Sequence, residues 1–317
     1  MTNEINRVPK ISVALCTYNG EKYLRAQLDS ILRQTIHPFE IIIVDDCSTD
    51  STVRILEEYA ARTSFIKYYE NEHNLGFVRN FSLAISKTCG DYVALSDQDD
   101  IWTEDHLEKL VKNINGKAVC VGDSIMVDSD GRELGMKFSE VKQNYYIPED
   151  DVLKAYRIIY NYSPYQGASM LIDRSWVNSL LPIPAEAGFH DTFLSCCASL
   201  TKGLTVIPDI ITRYRMHNSN VSSSWKVTIF NEIRHRRHYI CFESKPIIID
   251  YLLKHTSSLS PKAKRFVDEF KHILDLDKRK RTRFKILMIK NRHYKEIYSQ
   301  KTYKYILIRS LHFLLSL

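Results

Sequence analysis

Asp91-Tyr-Val-Ala-Leu-Ser-Asp-Gln-Asp-Asp100 places three carboxylates directly after a short apolar run. The run is too short for a helix, so it predicts a buried β-strand. Carboxylates this close repel one another at neutral pH unless a cation or hydrogen-bond donors compensate them. Oxygen ligands of this kind suit the hard cations Mg²⁺ and Mn²⁺. The alternative is an Asp-rich turn that caps the next helix, which is the commoner explanation where no buried strand precedes the pair.

The residues before this stretch alternate between short apolar runs and segments with helical spacing of their apolar residues. This alternation predicts an α/β fold with a buried, mostly parallel sheet and helices on both faces. In such a sheet ligands bind beyond the carboxyl ends of the strands, so polar residues there should meet in one crevice. The predicted strands are 11–17, 39–45, 65–69 and 91–96, and the predicted helices are 21–33, 53–62 and 76–87.

The pattern continues less regularly after Trp102 and changes character near residue 220. Short apolar runs again predict strands, and an Asp- and Gly-containing turn predicts a hairpin. The predicted elements are helix 105–113, strand 118–121, a hairpin turn at 127–132, strand 166–172, helix 189–200, and two short strands at 205–208 and 210–216.

Polar residues that follow the first two strands are candidates for holding a nucleotide. Asp46 ends the second predicted strand, where a carboxylate accepts from a pyrimidine N–H or from ribose hydroxyls, or else caps the next helix. Arg79 either neutralises a diphosphate, pairs with Asp97, or is a solvated helix cation. The sequence has neither a GxGxxG fingerprint nor a P-loop, so metal and cations are expected to hold any phosphates.

Two later motifs carry further candidates. His190-Asp191 stands at a predicted helix start, where Asp191 serves as a general base for a sugar hydroxyl or simply caps the helix. Arg213, Arg215 and His217 alternate along a predicted strand and would share one face. His217 there completes a metal site, binds phosphate, or is an ordinary surface histidine.

Taken together, these residues resemble the glycosyltransferase family 2 enzymes with the GT-A fold, particularly the bacterial rhamnosyltransferase-like group. The resemblance covers roughly residues 10 to 220, and its motifs occur in the family's order at strand ends. The matching stretches are Cys16-Thr-Tyr-Asn-Gly-Glu-Lys-Tyr-Leu, Gln27-Leu-Asp-Ser-Ile-Leu, Ile43-Val-Asp-Asp-Cys-Ser-Thr-Asp, Asn74-Leu-Gly-Phe, Ala94-Leu-Ser-Asp-Gln-Asp-Asp-Ile-Trp, His190-Asp191 and Tyr214-Arg-Met-His217.

The resemblance implies a role for each matching residue. Asp97 and Asp99 look like the family's Asp-x-Asp, with Asp99 the direct ligand of a divalent metal (Mn²⁺ or Mg²⁺), Asp97 nearer the ribose, and His217 beside the metal and diphosphate. Asp191 matches the catalytic base. Related sequences often carry two tryptophans after the His-Asp pair, where this chain has Thr192 and Phe193. The implied nucleotide-sugar-binding residues are Thr17, Tyr18, Asn19, Glu21, Asp46, Asn74, Arg79, Asp97 and Gln98.

The implied activity is inverting transfer of rhamnose or another hexose. The donor would be a dTDP- or UDP-sugar, and the acceptor a glycan or a lipid-linked saccharide in bacterial surface polysaccharide synthesis. One rival is a sugar nucleotidyltransferase, although residues 17–23 lack the usual Gly-rich basic loop. A second rival is a non-catalytic module that binds a nucleotide sugar.

Composition divides the chain into regions. Residues 1–10 read as a flexible leader, 11–220 as the catalytic domain (11–100 nucleotide-sugar binding, 101–220 acceptor side) and 221–317 as a basic helical region. Half of the 44 Lys and Arg residues follow Ser224, interleaved with aromatic residues. This composition favours peripheral contact with an anionic membrane, although a helical cap or a subunit interface is the plainer alternative. Nucleic-acid binding lacks a recognition motif.

The seven cysteines and the polar first ten residues bear on the compartment. An odd number of cysteines without CxxC spacing predicts free thiols, which suit a reducing cytosol. The sequence therefore predicts a cytoplasmic protein that is peripheral at the inner face of the cell membrane.

Overall fold

A computed structural model describes residues 8–141, 148–160, 163, 165–217, 245–255 and 259–277. Residues 1–7 of the predicted leader lie outside this description. So do residues 218–244, 256–258 and 278–317 of the predicted basic region and its approach. The expectations for those segments, including the apolar and cationic stretch at the end of the chain, stay predictions.

The first half of the sheet is parallel, as predicted. Its strands are β1 (Ile11–Thr17), β2 (Glu40–Asp45), β3 (Ile66–Glu70) and β4 (Tyr92–Ser96), in the spatial order β3-β2-β1-β4. All residues of β1 and β2 are buried, because helices cover both faces. Thr17 of β1 lies beside Asp45 of β2, so the ends of these strands reach the same edge.

Three helices connect these strands, namely α1 (Leu24–Leu32), α2 (Thr52–Arg62) and α3 (Phe77–Lys87). Alternate residues of β1 belong to two separate hydrophobic clusters. Val13 packs with α1 and α2, whereas Ala14 packs with α3. The sheet therefore has one apolar layer on each face, and its carboxyl edge is left for polar loops.

The second half of the sheet mixes strand directions. Its strands are β5 (Ile101–Trp102), β6 (Val119–Val127), β7 (Glu133–Lys137), β8 (Met170–Asp173) and β9 (Leu204–Arg215), and the order continues β4-β8-β6-β9-β5 with β7 beside β6. β8 runs antiparallel to both β4 and β6. Its amino end therefore lies at the edge where β4 and β6 end, which places residues 166–169 there.

Two details differ from the sequence-based expectation. The predicted strand 166–172 begins with a 3₁₀ turn, Gly167–Ser169, before β8. The two predicted strands at 205–208 and 210–216 are one strand, β9, which pairs with β6 through register shifts near Asp123. Such irregularities let a strand bend without ending, and Pro208 marks the place only weakly in the sequence.

The remaining helices are α4 (His106–Asn113), α5 (Phe138–Val141), α6 (Asp151–Tyr160), α7 (Arg174–Asn178), α8 (His190–Leu200), α9 (Lys245–His255) and α10 (Pro261–Asp277). Helices α9 and α10 pack on the catalytic region. Phe193 of α8 meets Tyr251 of α9 with ring centroids 5.2 Å apart, and Tyr156 of α6 meets Phe266 of α10 at 4.5 Å. Within the described ranges, none of the helices is long and apolar enough to cross a membrane.

His106 gives the core a pH dependence. Its ring is buried against Trp102, 3.9 Å between centroids, and burial lowers its pKa to about 3. A histidine that is neutral when folded but has a pKa near 6.5 when unfolded stabilises the fold fully above about pH 6.5 and progressively less as pH falls towards 3.

We expect the free energy of unfolding to fall by about 2 kcal/mol between pH 7 and pH 5 through His106 alone. Urea unfolding at the two pH values, compared with His106→Gln, isolates this effect. Gln does not titrate, so the variant should lose less stability than the wild type on acidification. An equal loss in both proteins would contradict the assignment.

Candidate nucleotide-sugar and acceptor site

The ends of β1 and β2 are tied together by Asp45. Its Oδ1 accepts from the Thr17 hydroxyl at 2.7 Å and from the Ser48 hydroxyl at 2.6 Å, and Oδ2 accepts from the Ser48 amide at 2.7 Å. Thr17 and Asp45 are buried, and Ser48 is partly buried. Thr17, predicted to line a nucleoside pocket, therefore also fixes the strand end from which the pocket loop starts.

The predicted pocket residues Asn19 and Glu21 join the two neighbouring loops. Asn19 has a left-handed backbone (φ 48°), and its Oδ1 accepts from the Thr49 amide at 2.8 Å. Glu21 Oε2 accepts from the Ser51 amide at 2.9 Å. Both side chains thus shape the loop from within. Tyr18, which precedes Asn19, is 49% exposed, so its ring is open to a flat ligand.

Asp46 fastens the segment before α3 and keeps one free position. Its carboxylate accepts from the Leu75 amide at 2.8 Å, the Gly76 amide at 2.9 Å and the Asn71 side chain at 2.8 Å. Asn74 also contacts the Asp46 carbonyl, at 3.2 Å. A carboxylate offers about four acceptor positions, so Oδ2 retains capacity for one further donor. The capping and the binding interpretations of Asp46 are thus compatible.

The Gln98 side chain holds two loops of the site together. Its amide accepts from the Tyr18 N–H at 2.8 Å and donates to the Tyr18 carbonyl at 3.0 Å, which ties the β4 loop to the β1 loop. The approach is close, because a Cβ at Gly20 would lie 2.1 Å from Gln98 Oε1. Gly20 is therefore required here by space, a role that the sequence did not reveal.

Asp99 and His217 meet directly. Asp99 Oδ2 lies 2.8 Å from His217 Nε2, and both side chains are mostly buried. Arg215 supports the pair, since its Nε donates to the Asp99 carbonyl at 2.8 Å. The rings of Tyr23 and His217 are 4.8 Å apart, and the Arg215 guanidinium lies 4.7 Å from the Tyr23 ring centre. The end of β9 thus brings an imidazole and a cation to the carboxylate cluster, as the alternation in the sequence predicted for Arg215 and His217.

Arg213, the third residue of that alternation, faces elsewhere. It pairs with Glu133 of β7 at the protein surface. Asp100 is also structural: it is buried, and its Oδ1 accepts from the Arg215 amide at 3.0 Å. Burial and the neighbouring Asp99 and Asp97 raise the Asp100 pKa well above its ordinary value. The third carboxylate of the cluster therefore anchors β9 to the β4 loop.

Asp97 lies where several negative charges converge. Burial, then the charges of Asp99 and Asp191, raise its pKa to about 8. Asp191 is therefore close enough to act electrostatically on Asp97, although the two are 94 positions apart in the chain. Arg79 is exposed on α3 beside the segment 181–185, and within the described residues it forms no ion pair with Asp97.

The donor set at the cluster fits a divalent cation. The described residues contain no ready-made group of three or more His, Cys, Asp or Glu ligands. Mg²⁺ commonly takes only one or two carboxylates and completes its shell with substrate phosphates and water. Asp99, with Asp97 and the His217 imidazole nearby, matches that requirement, and a cation would relieve the repulsion that raises the Asp97 pKa.

Asp191 stands in the first turn of α8 and is held by its own helix. Its Oδ1 accepts from the Thr192 amide at 2.6 Å. The preceding His190 is buried and stacked on Phe81 of α3, with centroids 4.0 Å apart, and burial lowers its pKa to about 3. His190 is thus a neutral packing residue that fixes the helix start from which Asp191 projects.

Gly167 completes this support. A Cβ at residue 167 would lie 2.8 Å from His190 Nε2 and 3.7 Å from the Asp191 Cβ. The stacked His190 ring has little room to retreat, so Gly167→Ala should displace the start of α8. Asp191 is the base that the sequence resemblance implies, and a displacement of about 1 Å at such a group can cost on the order of 100-fold in rate. We expect the turnover rate to fall by about that factor.

Comparison with a second variant tests the cause of this loss. In the His190→Ala background the added methyl group meets no ring, so Gly167→Ala should cost much less there than in the wild type. Steady-state kinetics of the four proteins, with thermal melts to confirm folding, measure this coupling. Equal losses in both backgrounds would mean that Gly167 does not position Asp191 through His190.

A family model described as Glycosyl transferase family 2 matches residues 12–180, more than half of the chain. The chain belongs to glycosyltransferase family 2. The match spans both the Asp97–Asp100 cluster and Gly167, whereas Asp191 and His217 lie beyond it.

Curated relatives agree with this membership. A protein of Bacillus subtilis named as a teichuronic acid biosynthesis glycosyltransferase, TuaG, is 31% identical over 74% of this chain and 92% of its own length. A Haemophilus influenzae protein named as an uncharacterized glycosyltransferase is 28% identical over 68% of each chain. The family 2 resemblance drawn from the sequence motifs is therefore confirmed, while rhamnose specificity is not addressed by these names.

Solved structures share the fold of this family 2 protein. TarS from S. aureus in complex with UDP-GlcNAc superposes with a TM-score of 0.58 and 24% identity, over 82% of this chain and 71% of that one. The mannosyltransferase PcManGT from Pyrobaculum calidifontis, in complex with GDP-Man and Mn²⁺, gives 0.55 and 17%, over 83% and 69%. These likenesses show the fold, which is the predicted GT-A arrangement.

Proposed function

We propose that this family 2 protein is an inverting, metal-dependent hexosyltransferase. It takes its sugar from a nucleoside diphosphate sugar and delivers it to a hydroxyl of a glycan or lipid-linked acceptor. The observation that carries the proposal is the pairing of Asp99 with His217 at 2.8 Å beside Asp97, together with Asp191, whose charge contributes to the raised pKa of Asp97. A metal-side cluster and a separate carboxylate are the two parts that such a displacement needs.

The nucleoside side is formed by the loops after β1, β2 and β4. Tyr18 offers an exposed ring, Asp46 keeps one acceptor position, and Gln98 holds the Tyr18 backbone in place. Thr17, Asn19 and Glu21 build these loops, and Asn74 closes the segment that Asp46 fastens. Arg79 lies at the margin of this proposed site, because its position on α3 borders the 181–185 segment.

The reaction is a single displacement at the anomeric carbon. Asp191 removes the proton of the acceptor hydroxyl as its oxygen forms the new glycosidic bond, and the bond to the diphosphate breaks on the opposite face. Asp99, with Asp97 and His217, would hold Mn²⁺ or Mg²⁺, which when bound stabilises the negative charge that develops on the leaving diphosphate. A positioned base typically contributes about 10²- to 10⁴-fold.

A panel of dTDP- and UDP-sugars, assayed with Mn²⁺ and Mg²⁺, tests the proposal. Release of a nucleoside diphosphate together with a new glycosidic bond supports it. Release of pyrophosphate would instead identify a sugar nucleotidyltransferase, and binding without turnover would identify a non-catalytic module. Thermal stabilisation by each nucleotide sugar, with and without Mn²⁺, reports donor choice separately from turnover.

We further propose a cytoplasmic, peripheral position at a membrane, with bacterial surface polysaccharide as the product. Helix α10 supports this by presenting exposed Lys264, Arg265 and Lys271 away from its buried face. The name of the TuaG relative supports the envelope context. Flotation with anionic and with neutral vesicles tests for this membrane contact. Only the anionic vesicles should carry the full-length protein upward.

A further inference from the structure

Phe189 is an exposed aromatic residue held in place beside the proposed base. It directly precedes His190 and Asp191 at the start of α8, and 49% of its surface is exposed. Its ring lies 5.6 Å from the ring of Phe77, the first residue of α3. Phe77 in turn follows Gly76, whose amide donates to Asp46. The exposed ring is thus braced between the donor-side loop and the acceptor-side helix.

Gln166 provides a second, independent observation. Only 8% of its surface is exposed, and its Oε1 accepts from the Ser124 hydroxyl at 2.5 Å. Its Nε2 has no hydrogen-bond partner in the part of the chain that the structure describes. Leaving a buried amide N–H unpaired costs about 1–3 kcal/mol. A ligand oxygen at this point would remove that cost.

Both residues border Asp191. Because β8 runs against its neighbours, residues 166–169 lie at the carboxyl edge of β4 and β6. Gly167, next to Gln166, packs against His190 and the Asp191 Cβ. Phe189 lies two residues before Asp191, at the N-cap of α8. An exposed aromatic ring and a buried, unpaired N–H donor therefore belong to the two segments that adjoin Asp191.

We propose that Phe189 and Gln166 form the subsite for the acceptor sugar, an inference that rests on the proposed transferase function. A pyranose ring presents a C–H face and a rim of hydroxyl groups. The C–H face stacks on Phe189, one hydroxyl accepts from Gln166 Nε2, and the attacking hydroxyl meets Asp191. Stacking on an aromatic ring and pairing of a buried donor together fix the acceptor's orientation.

The charge of the crevice selects a neutral saccharide over other occupants. The Asp191 carboxylate, which must be ionised to act as a base, repels an acceptor that carries its negative charge at this position. A hydrocarbon chain would cover Phe189 but leave Gln166 Nε2 unpaired. A sugar ring can both cover Phe189 and pair with Gln166 Nε2. Any lipid or phosphate portion of the acceptor therefore lies outside this subsite.

The test uses the full-length protein, the nucleotide sugar that it turns over fastest, and methyl glycosides of glucose, galactose, mannose, rhamnose and N-acetylglucosamine as acceptors. Donor hydrolysis without acceptor is measured alongside. For Phe189→Ala we expect the acceptor KM to rise about tenfold, as the loss of one aromatic contact implies. The ratio of transfer to hydrolysis should fall by a similar factor. Phe189→Tyr keeps the ring and should restore the KM to within about threefold.

Matched variants separate binding from folding. Phe39→Ala removes a ring of similar exposure, 41%, that precedes β2 at the opposite edge of the sheet, and it should leave the acceptor KM unchanged. Gln166→Met keeps the volume and removes the donor, while the Ser124 hydroxyl retains its contact with Ser169 at 3.0 Å. For Gln166→Met we also expect a rise of about tenfold in acceptor KM.

Three results would overturn the subsite. These are an unchanged acceptor KM in Phe189→Ala, a parallel fall of hydrolysis and transfer in both variants, and a wild-type protein that hydrolyses donor but glycosylates none of the glycosides. If no nucleotide sugar releases its diphosphate at all, the proposed function itself fails, and the subsite fails with it.

Discussion

Asp191→Asn is expected to lower kcat for sugar transfer by about 10²- to 10⁴-fold, the range that a positioned general base contributes. The substitution keeps a side-chain oxygen that can accept from the Thr192 amide, so α8 should start as it does in the wild type. Asn cannot take up the acceptor proton. Steady-state transfer kinetics with the preferred nucleotide sugar measure the loss.

Donor binding distinguishes a chemical defect from a structural one. Isothermal titration with the nucleoside diphosphate should give Asp191→Asn an affinity close to that of the wild type, because the proposed mechanism gives Asp191 a role towards the acceptor alone. Asp209→Asn is a matched control, since it removes a carboxylate that faces Lys109 at 3.7 Å and should leave kcat intact. A transfer rate near that of the wild type in Asp191→Asn would show that another group is the base.

Asp99→Asn is expected to reduce metal-supported binding of the nucleoside diphosphate by on the order of 100-fold or more, because a bound cation contributes several kcal/mol through the phosphates. The change removes the carboxylate that lies 2.8 Å from His217 Nε2. Titration of the diphosphate with Mn²⁺ present, and again after chelation with EDTA, measures the effect. In the variant the two titrations should nearly coincide.

His217→Gln should show a smaller loss of the same kind, about 10- to 100-fold, whether the imidazole binds the metal or only orients Asp99. His37→Gln provides the control, because His37 is exposed and precedes β2 at the opposite edge. The metal assignment would be lost if EDTA left wild-type transfer unaffected, or if Asp99→Asn bound the diphosphate as tightly as the wild type does with Mn²⁺.

Local sequence patterns predicted the architecture of the parallel half of the sheet well. Runs such as 11–17 and 91–96 are short, apolar and followed by polar residues. Both the strands and the sheet edge at which their ends meet could therefore be predicted from the sequence. The proximity of Asp99 and His217 could be predicted for the same reason, because β9 and β4 end at the same edge of the sheet. The direction of each strand was harder to predict, because side chains alternate between the two faces of a sheet in the same way in either direction.

The internal bonding of the site could not be predicted in this way. Asp46 and Gln98 spend most of their hydrogen-bonding capacity on backbone groups that lie 29 to 80 positions away in the chain. The need for glycine at residues 20 and 167 arises from equally distant side chains. Phe189 stood next to the His-Asp motif, yet only the structure places its ring beside Phe77. Each of these facts depends on tertiary distances that no short motif encodes.

The reversed direction of β8 has a consequence for how such enzymes diversify. Its three ladder pairs with β4, from Tyr92–Asp173 to Ala94–Leu171, anchor the strand independently of the chain that leads into Gln166. Insertions or deletions ahead of Gln166 would therefore alter the wall of the proposed acceptor subsite without shifting the sheet. A change in loop length alone should therefore change that wall, and grafting a relative's segment at this point should transfer acceptor preference while the choice of nucleotide stays with the β1, β2 and β4 loops.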